Sequence, residues 1–174
     1  MRALAFSLVL LPIFAVGFDL QLLLGYTYGE MDGWTLGTGF YEEPFGSDIV
    51  MVFKSSSPTN FYSFTVAAFI PVFEAGNYSL GPSVAYVHGN YSGEWEDGSW
   101  IGGVLEKWTG EYHARIALFY PVQGSFDFSR DTLFEFRYFL KPPNGMKFKD
   151  RLYFEIFYFR RIFRFAVGLL EPIP

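Results

Sequence analysis

The chain contains no cysteine, which excludes a disulfide scaffold and any Cys-ligated zinc or iron–sulfur site. It has only two histidines, His88 and His113, far apart in sequence, which argues against a metal centre. Basic residues are outnumbered, 13 Lys+Arg against 18 Asp+Glu for a formal net charge of −5, so nucleic acid is not an expected partner. Charged residues of both signs make up only 18%, against 51% apolar residues, which is not the balance of a disordered chain. Beyond residue 17 no stretch approaches the ~20 apolar residues of a helical membrane span. Any membrane role of that part must therefore use strands. What the sequence has in abundance is aromatic rings, 22 Phe, 12 Tyr and 4 Trp in 174 residues, a composition suited to β structure and to membrane interfaces.

The first residues have the three-part pattern of a secretory signal peptide. Met1-Arg2 supplies the positive start, Ala3 to Phe14 the apolar run, and Ala15-Val16-Gly17 the small residues before a cleavage site. The expected organisation is a signal peptide over 1–17 and a single β-barrel domain over 18–174.

Period two dominates that domain. Phe18, Leu20, Leu22, Leu24, Tyr26 and Tyr28 form one row, and Asp19, Gln21, Leu23, Gly25, Thr27 and Gly29 the other. No helical stripe competes with this alternation. Seven clusters of turn residues separate eight strand regions near 18–29, 33–41, 47–55, 60–73, 77–92, 99–121, 125–141 and 147–170. The stretch 99–121 reads as one long strand, because Trp108, Tyr112, Ala114, Ile116, Leu118 and Tyr120 stay in phase across Thr109-Gly110. The stretch 147–170 slips phase near Arg160-Arg161, the mark of a bulge or a tight turn. The fold expected is an all-β, antiparallel, up-and-down closed barrel of eight strands, with ten as the alternative count.

Charge placement bears on which face meets water. Around 111–119, 131–139 and 151–159 the odd residues carry every charge, and their even partners carry none. One reading is a solvated outer face. The other is a lumen in which Glu111, Glu135 and Glu155 pair with Arg115, Arg137 and Arg151, and in which His113 and Asp131 take part. Phe119, Phe139, Tyr153, Phe157 and Phe159 share that row. They fit the packed interior of a narrow barrel better than a wetted surface. Tyr26, Tyr28, Trp34, Tyr112 and Tyr120 stand where rings with a polar edge collect at membrane interfaces. By strict parity Arg130 and Arg160 turn toward lipid, unless a rim position or a bulge redirects them.

With these features the chain resembles the small eight-stranded outer-membrane barrels of bacteria, the group that includes the OmpX-type proteins and the membrane domain of OmpA. The resemblance spans 18–174 and is one of architecture. It implies membrane lipid as a partner, the barrel-assembly machinery as a second, a monomeric state, and no cofactor. Such barrels commonly finish on an aromatic residue, whereas this sequence closes on Glu171-Pro172-Ile173-Pro174.

Motifs for chemistry are weak. Gly81-Pro82-Ser83-Val84-Ala85 is a relaxed nucleophile elbow without a following helix. His88-Gly89-Asn90 and His113-Ala114-Arg115 lack the serine of a His-x-Ser pair, although His113 could meet Glu135 across a ladder. A structural place in a lumen network is the expectation for both histidines. Glu94, Glu96 and Asp97 form an acidic cluster that reads as a solvated loop tip rather than a calcium site. Three functions follow from this. The first is a non-enzymatic outer-membrane barrel with a plugged polar lumen and a structural, adhesive or envelope-stabilising role. The second is a secreted or periplasmic lipocalin-like barrel that binds an apolar ligand. The third is a barrel lipid hydrolase.

Overall fold

The structure, a computed structural model, describes residues 19–29, 32–42, 45–53, 61–91, 94–109, 111–124, 131–140 and 151–172. The expected signal peptide, 1–17, lies outside the described residues, as does Arg130. The strands are β1 (Asp19–Gly29), β2 (Gly33–Glu42), β3 (Phe45–Phe53), β4 (Phe61–Phe69), β5 (Phe73–Ala75), β6 (Tyr78–Tyr91), β7 (Glu94–Trp108), β8 (Tyr112–Gly124), β9 (Leu133–Leu140), β10 (Arg151–Phe159) and β11 (Ile162–Pro172). All pair antiparallel in one sheet, in the order β4-β3-β2-β1-β11-β10-β9-β8-β7-β6-β5, with a further pairing of β4 to β6. Ten strands are long. The three-residue β5 continues the line of β4 along β6, joined by bonds from Ile70 N to Pro82 O and Val72 N to Leu80 O. Among the described residues no helix is long and apolar enough to cross a membrane, which leaves strand crossings untouched.

Two sequence regions behave differently from one another. The region 147–170 divides at Arg160-Arg161 into β10 and β11, as its phase slip implies. The region 99–121 is not one strand. Strand β7 ends at Trp108 and β8 begins at Tyr112, and Thr109 Oγ1 accepts the amides of Glu111 and Tyr112. The parity seemed continuous because β7 is apolar on both faces. Trp100 and Val104 are buried, while Ile101 and Leu105 on the opposite face are exposed. These two divisions bring the eight expected strand regions to ten long strands.

Burial alternates along the strands. Gln21, Leu23, Gly25 and Thr27 of β1 are buried between exposed Leu22, Leu24 and Tyr28. On β8 His113, Arg115, Ala117 and Phe119 are buried, and Ile116 and Leu118 are exposed. On β11 Ile162, Arg164, Ala166 and Leu170 are buried, and Phe163, Phe165 and Val167 are exposed. The interior holds two apolar clusters. One gathers Trp100, Val104, Phe119, Leu133, Phe159 and Ile162 toward the end that carries the β10–β11 turn. The other gathers Leu23, Phe139, Tyr153, Ala166 and Leu170 toward the end where β1 starts and β11 stops. A charged belt lies between them.

Candidate functional site

The belt is set by register. Directly opposed residues run Ser79 to Glu106, Glu106 to Arg115, Arg115 to Arg137, Arg137 to Glu155 and Glu155 to Ala166. Five neighbouring strands, β6 to β10, thus place polar side chains at one level of the interior. In low dielectric such groups must be matched. Glu155, 1% exposed, is the hub. Its Oε2 accepts from Arg137 Nε at 3.0 Å, and its Oε1 accepts from Arg164 Nε at 2.7 Å. Arg137 also donates Nη2 to Glu135 Oε2 and Nη1 to Gln21 Oε1, each at 3.1 Å. The two guanidiniums lie over rings, Arg137 5.4 Å from the Tyr153 centroid and Arg164 4.2 Å from that of Phe157. Tyr153 occupies the space left by Gly168 opposite it, where an added Cβ would fall 1.9 Å from the Tyr153 Cζ.

A second group borders the first. Glu106 Oε1 lies 3.6 Å from His113 Nε2 and 3.8 Å from Arg115 Nε, all three side chains buried. These are ion-pair separations, longer than hydrogen bonds. The imidazole is held flat between the rings of Trp108 and Phe139, at 4.9 Å from each. A third group closes the end that carries the β10–β11 turn. Arg160 donates Nη1 and Nη2 to Glu96 at 2.9 and 2.8 Å, and Nη2 to Asp131 Oδ2 at 2.8 Å. The hydrogen bond to Asp131 and then the one to Glu96 push the Arg160 pKa further above its ordinary value, against the cost of partial burial. The guanidinium is cationic at every accessible pH.

The expected charge row is therefore present but differently wired. Arg115, Asp131, Glu135, Arg137, Glu155 and His113 face inward. Glu111 does not. It is exposed on the β7–β8 turn, so Arg115 takes Glu106 as its partner. The Arg151 side chain lies outside the described set, and Glu155 is served by Arg137 and Arg164. His113 opposes Phe139, not Glu135, which opposes Ala117. Arg160 does not point to lipid. The turn at 160–161 frees it from strand parity and folds it over the interior.

The weaker motifs also find their places. His88 faces outward, stacked on Trp95 at 4.9 Å, and takes no part in the lumen network. Glu94, Glu96 and Asp97 do not form a loop tip. They lie on β7, where Glu96 binds Arg160 while Asp97 on the other face meets the Tyr86 hydroxyl at 3.3 Å. Ser83 lies within β6, and its Oγ donates to Ala68 O at 2.8 Å, so the strained turn of a nucleophile elbow is not there. Sequence reading missed Glu106, Arg164, Gln21 and Glu96. The signal for Glu106 was available once β7 was ended at Thr109, because Glu106 then shares the row of Trp100 and Val104.

No family model matches the chain, and no curated protein matches it. Among solved structures the chain is similar to a KdgM porin, at 14% identity over 91% of this chain and 100% of that one, with a TM-score of 0.45. The KdgM porin in complex with disordered oligogalacturonate gives 14% identity over the same shares, with a TM-score of 0.44. The neisserial surface protein A, NspA, gives 9% identity over 90% of this chain and 96% of that one, with a TM-score of 0.33.

Proposed function

We propose that this chain is an integral outer-membrane β-barrel, closed by ten strands, with a plugged polar lumen and a structural, adhesive or envelope-stabilising role. The observation that carries this is a pair of adjacent register rows. The buried row is Glu106, Arg115, Arg137 and Glu155. Next to it Leu80, Leu105, Ile116, Phe136, Ile156, Phe165, Tyr26 and Trp34 oppose one another in sequence around the outside. Of these Leu105, Ile116, Ile156 and Phe165 are 37–49% exposed. A water-soluble sheet keeps its apolar row inside and its charges out. A barrel in hydrocarbon does the reverse. The β4–β6 and β1–β11 pairings support closure, because together they give every long strand two neighbours and leave no edge to lipid.

The outer wall has the right height. Tyr112 and Tyr120 bracket the outward row of β8, about 27 Å apart at ~3.4 Å per residue. A tilt of ~40° reduces this to about 20 Å, near the ~25 Å apolar band of such barrels. Tyr28, Trp34 and Phe163 mark one rim, and Tyr78 and Tyr112 the other. The two apolar clusters and the belt between them support a filled lumen. Export through a signal peptide at 1–17 belongs to the same proposal. Fractionation tests it. The protein is expected in the membrane fraction, released only by detergent and migrating anomalously in gels until boiled. Recovery from buffer without detergent would replace this reading with the soluble carrier.

A further inference from the structure

The cations on the described strands are sorted by face. Arg115, Arg137 and Arg164 point inward to carboxylates. Lys107 of β7 points the other way, in the outward row of Ile101 and Leu105. Its nearest carboxylate in sequence, Glu106, is turned to the interior and 1% exposed. Among the described residues no carboxylate lies within ion-pair reach of Lys107. What surrounds its ammonium instead is aromatic, with Nζ 5.1 Å from the centroid of Tyr78 and 5.9 Å from that of Tyr112. Tyr112 in turn stacks on Tyr138 of β9 at 5.2 Å. Lys107 stands at the rim shared with the start of β1, one step beyond Leu80, Leu105 and Ile116, which oppose one another on the same wall.

Resting on the barrel reading, we infer that Tyr78, Lys107 and Tyr112 form a binding site for the phosphate of an anionic membrane phospholipid. The ammonium supplies the counter-charge that no carboxylate of the described chain provides, and the phenolic hydroxyls supply neutral donors to phosphate oxygens. Tyr78 and Tyr112 flank the ammonium, 5.1 and 5.9 Å from their ring centroids, and keep it at the rim. The acyl chains then lie on Leu80, Leu105 and Ile116. A long cationic side chain at the end of an apolar wall is positioned to reach the headgroup layer.

Native mass spectrometry of the detergent-released full chain, titrated with phosphatidylglycerol or with phosphatidylcholine, tests the site. The first phosphatidylglycerol is expected to bind more tightly than the first phosphatidylcholine. Lys107→Gln should weaken that first phosphatidylglycerol by about fivefold, the effect of one cation at a headgroup layer, and leave phosphatidylcholine unchanged. Lys107→Arg should retain the preference. Equal affinities of wild type and Lys107→Gln for phosphatidylglycerol would overturn the site, and so would a wild type that does not distinguish the two lipids. The heat-dependent gel shift of each variant shows whether it still folds. A wild type that stays in buffer without detergent defeats the barrel reading itself, a result separate from loss of lipid selectivity in an inserted barrel.

Discussion

Glu155 accepts from two guanidiniums at once, and neither Arg137 nor Arg164 can deprotonate to escape burial. Glu155→Ala would leave Arg164 without its partner at that site and Arg137 dependent on Glu135 and Gln21. Loss of one member of a buried ionic group costs about 3–5 kcal/mol, and urea unfolding in detergent micelles would register it. Glu135 is the milder case. Its side chain is 15% exposed, and Arg137 keeps Glu155 when it is removed. Glu135→Ala is expected to cost about 1–2 kcal/mol, the range of a charged hydrogen bond near solvent. Equal losses for the two variants would mean that the belt is wetted. That these charges share one face was legible from residue order, because 111–119, 131–139 and 151–159 keep all their charge on one parity. The partner choices were not. Glu106 and Arg164 are joined to Arg115 and Glu155 only across the β7–β8 and β10–β11 turns, and no single-strand pattern pairs them.

At the scale of elements, the β10–β11 connection is the most constrained piece of backbone. Arg160 and Arg161 both have positive φ, 49° and 59°, as a two-residue hairpin turn of the I′ kind requires. Asn and Gly usually occupy such positions, since a Cβ there costs about 1–2 kcal/mol. At Arg160 the cost is offset by Asp131 and Glu96. Arg161 is exposed, where side-chain pairing contributes little against the torsion. Arg161→Gly is therefore expected to stabilise by about 1 kcal/mol. Arg160→Gly relieves the same torsion yet destabilises overall, because Asp131 and Glu96 both lose the guanidinium they share. Thermal unfolding of the two variants should shift in opposite directions. This turn was visible in the sequence as a change of parity between Ile156 and Phe163. The β7–β8 turn was hidden, because hydrophobicity alone cannot distinguish the inward Trp100 and Val104 from the outward Ile101 and Leu105.

For the whole molecule, the interior decides whether the proposed barrel conducts. Trp100, Tyr153, Phe159 and Leu170 are at most 2% exposed, and the belt crosses the space between their clusters. Reconstituted in planar bilayers, the protein is expected to show no large, stable conductance step. A steady, wide pore would contradict the plug. The all-β antiparallel sheet was readable because it follows from period-two patterning, and the burial of one face because of where charge and rings fall. A physiological role was not, because an apolar outward row and a packed interior leave few residues of distinctive chemistry to specify a ligand.

The union of β1 with β11, residue against residue from Asp19 to Pro172, has a bearing on biogenesis. A ribbon made early must wait, its amides and carbonyls unclaimed, for a mate synthesised much later. During that interval the nascent polypeptide is a template for mispairing with its own kind. On the proposed barrel reading, safe delivery calls for an escort that masks both edges, and proteolytic clipping inside β11 is expected to turn the cylinder back into an adhesive ribbon.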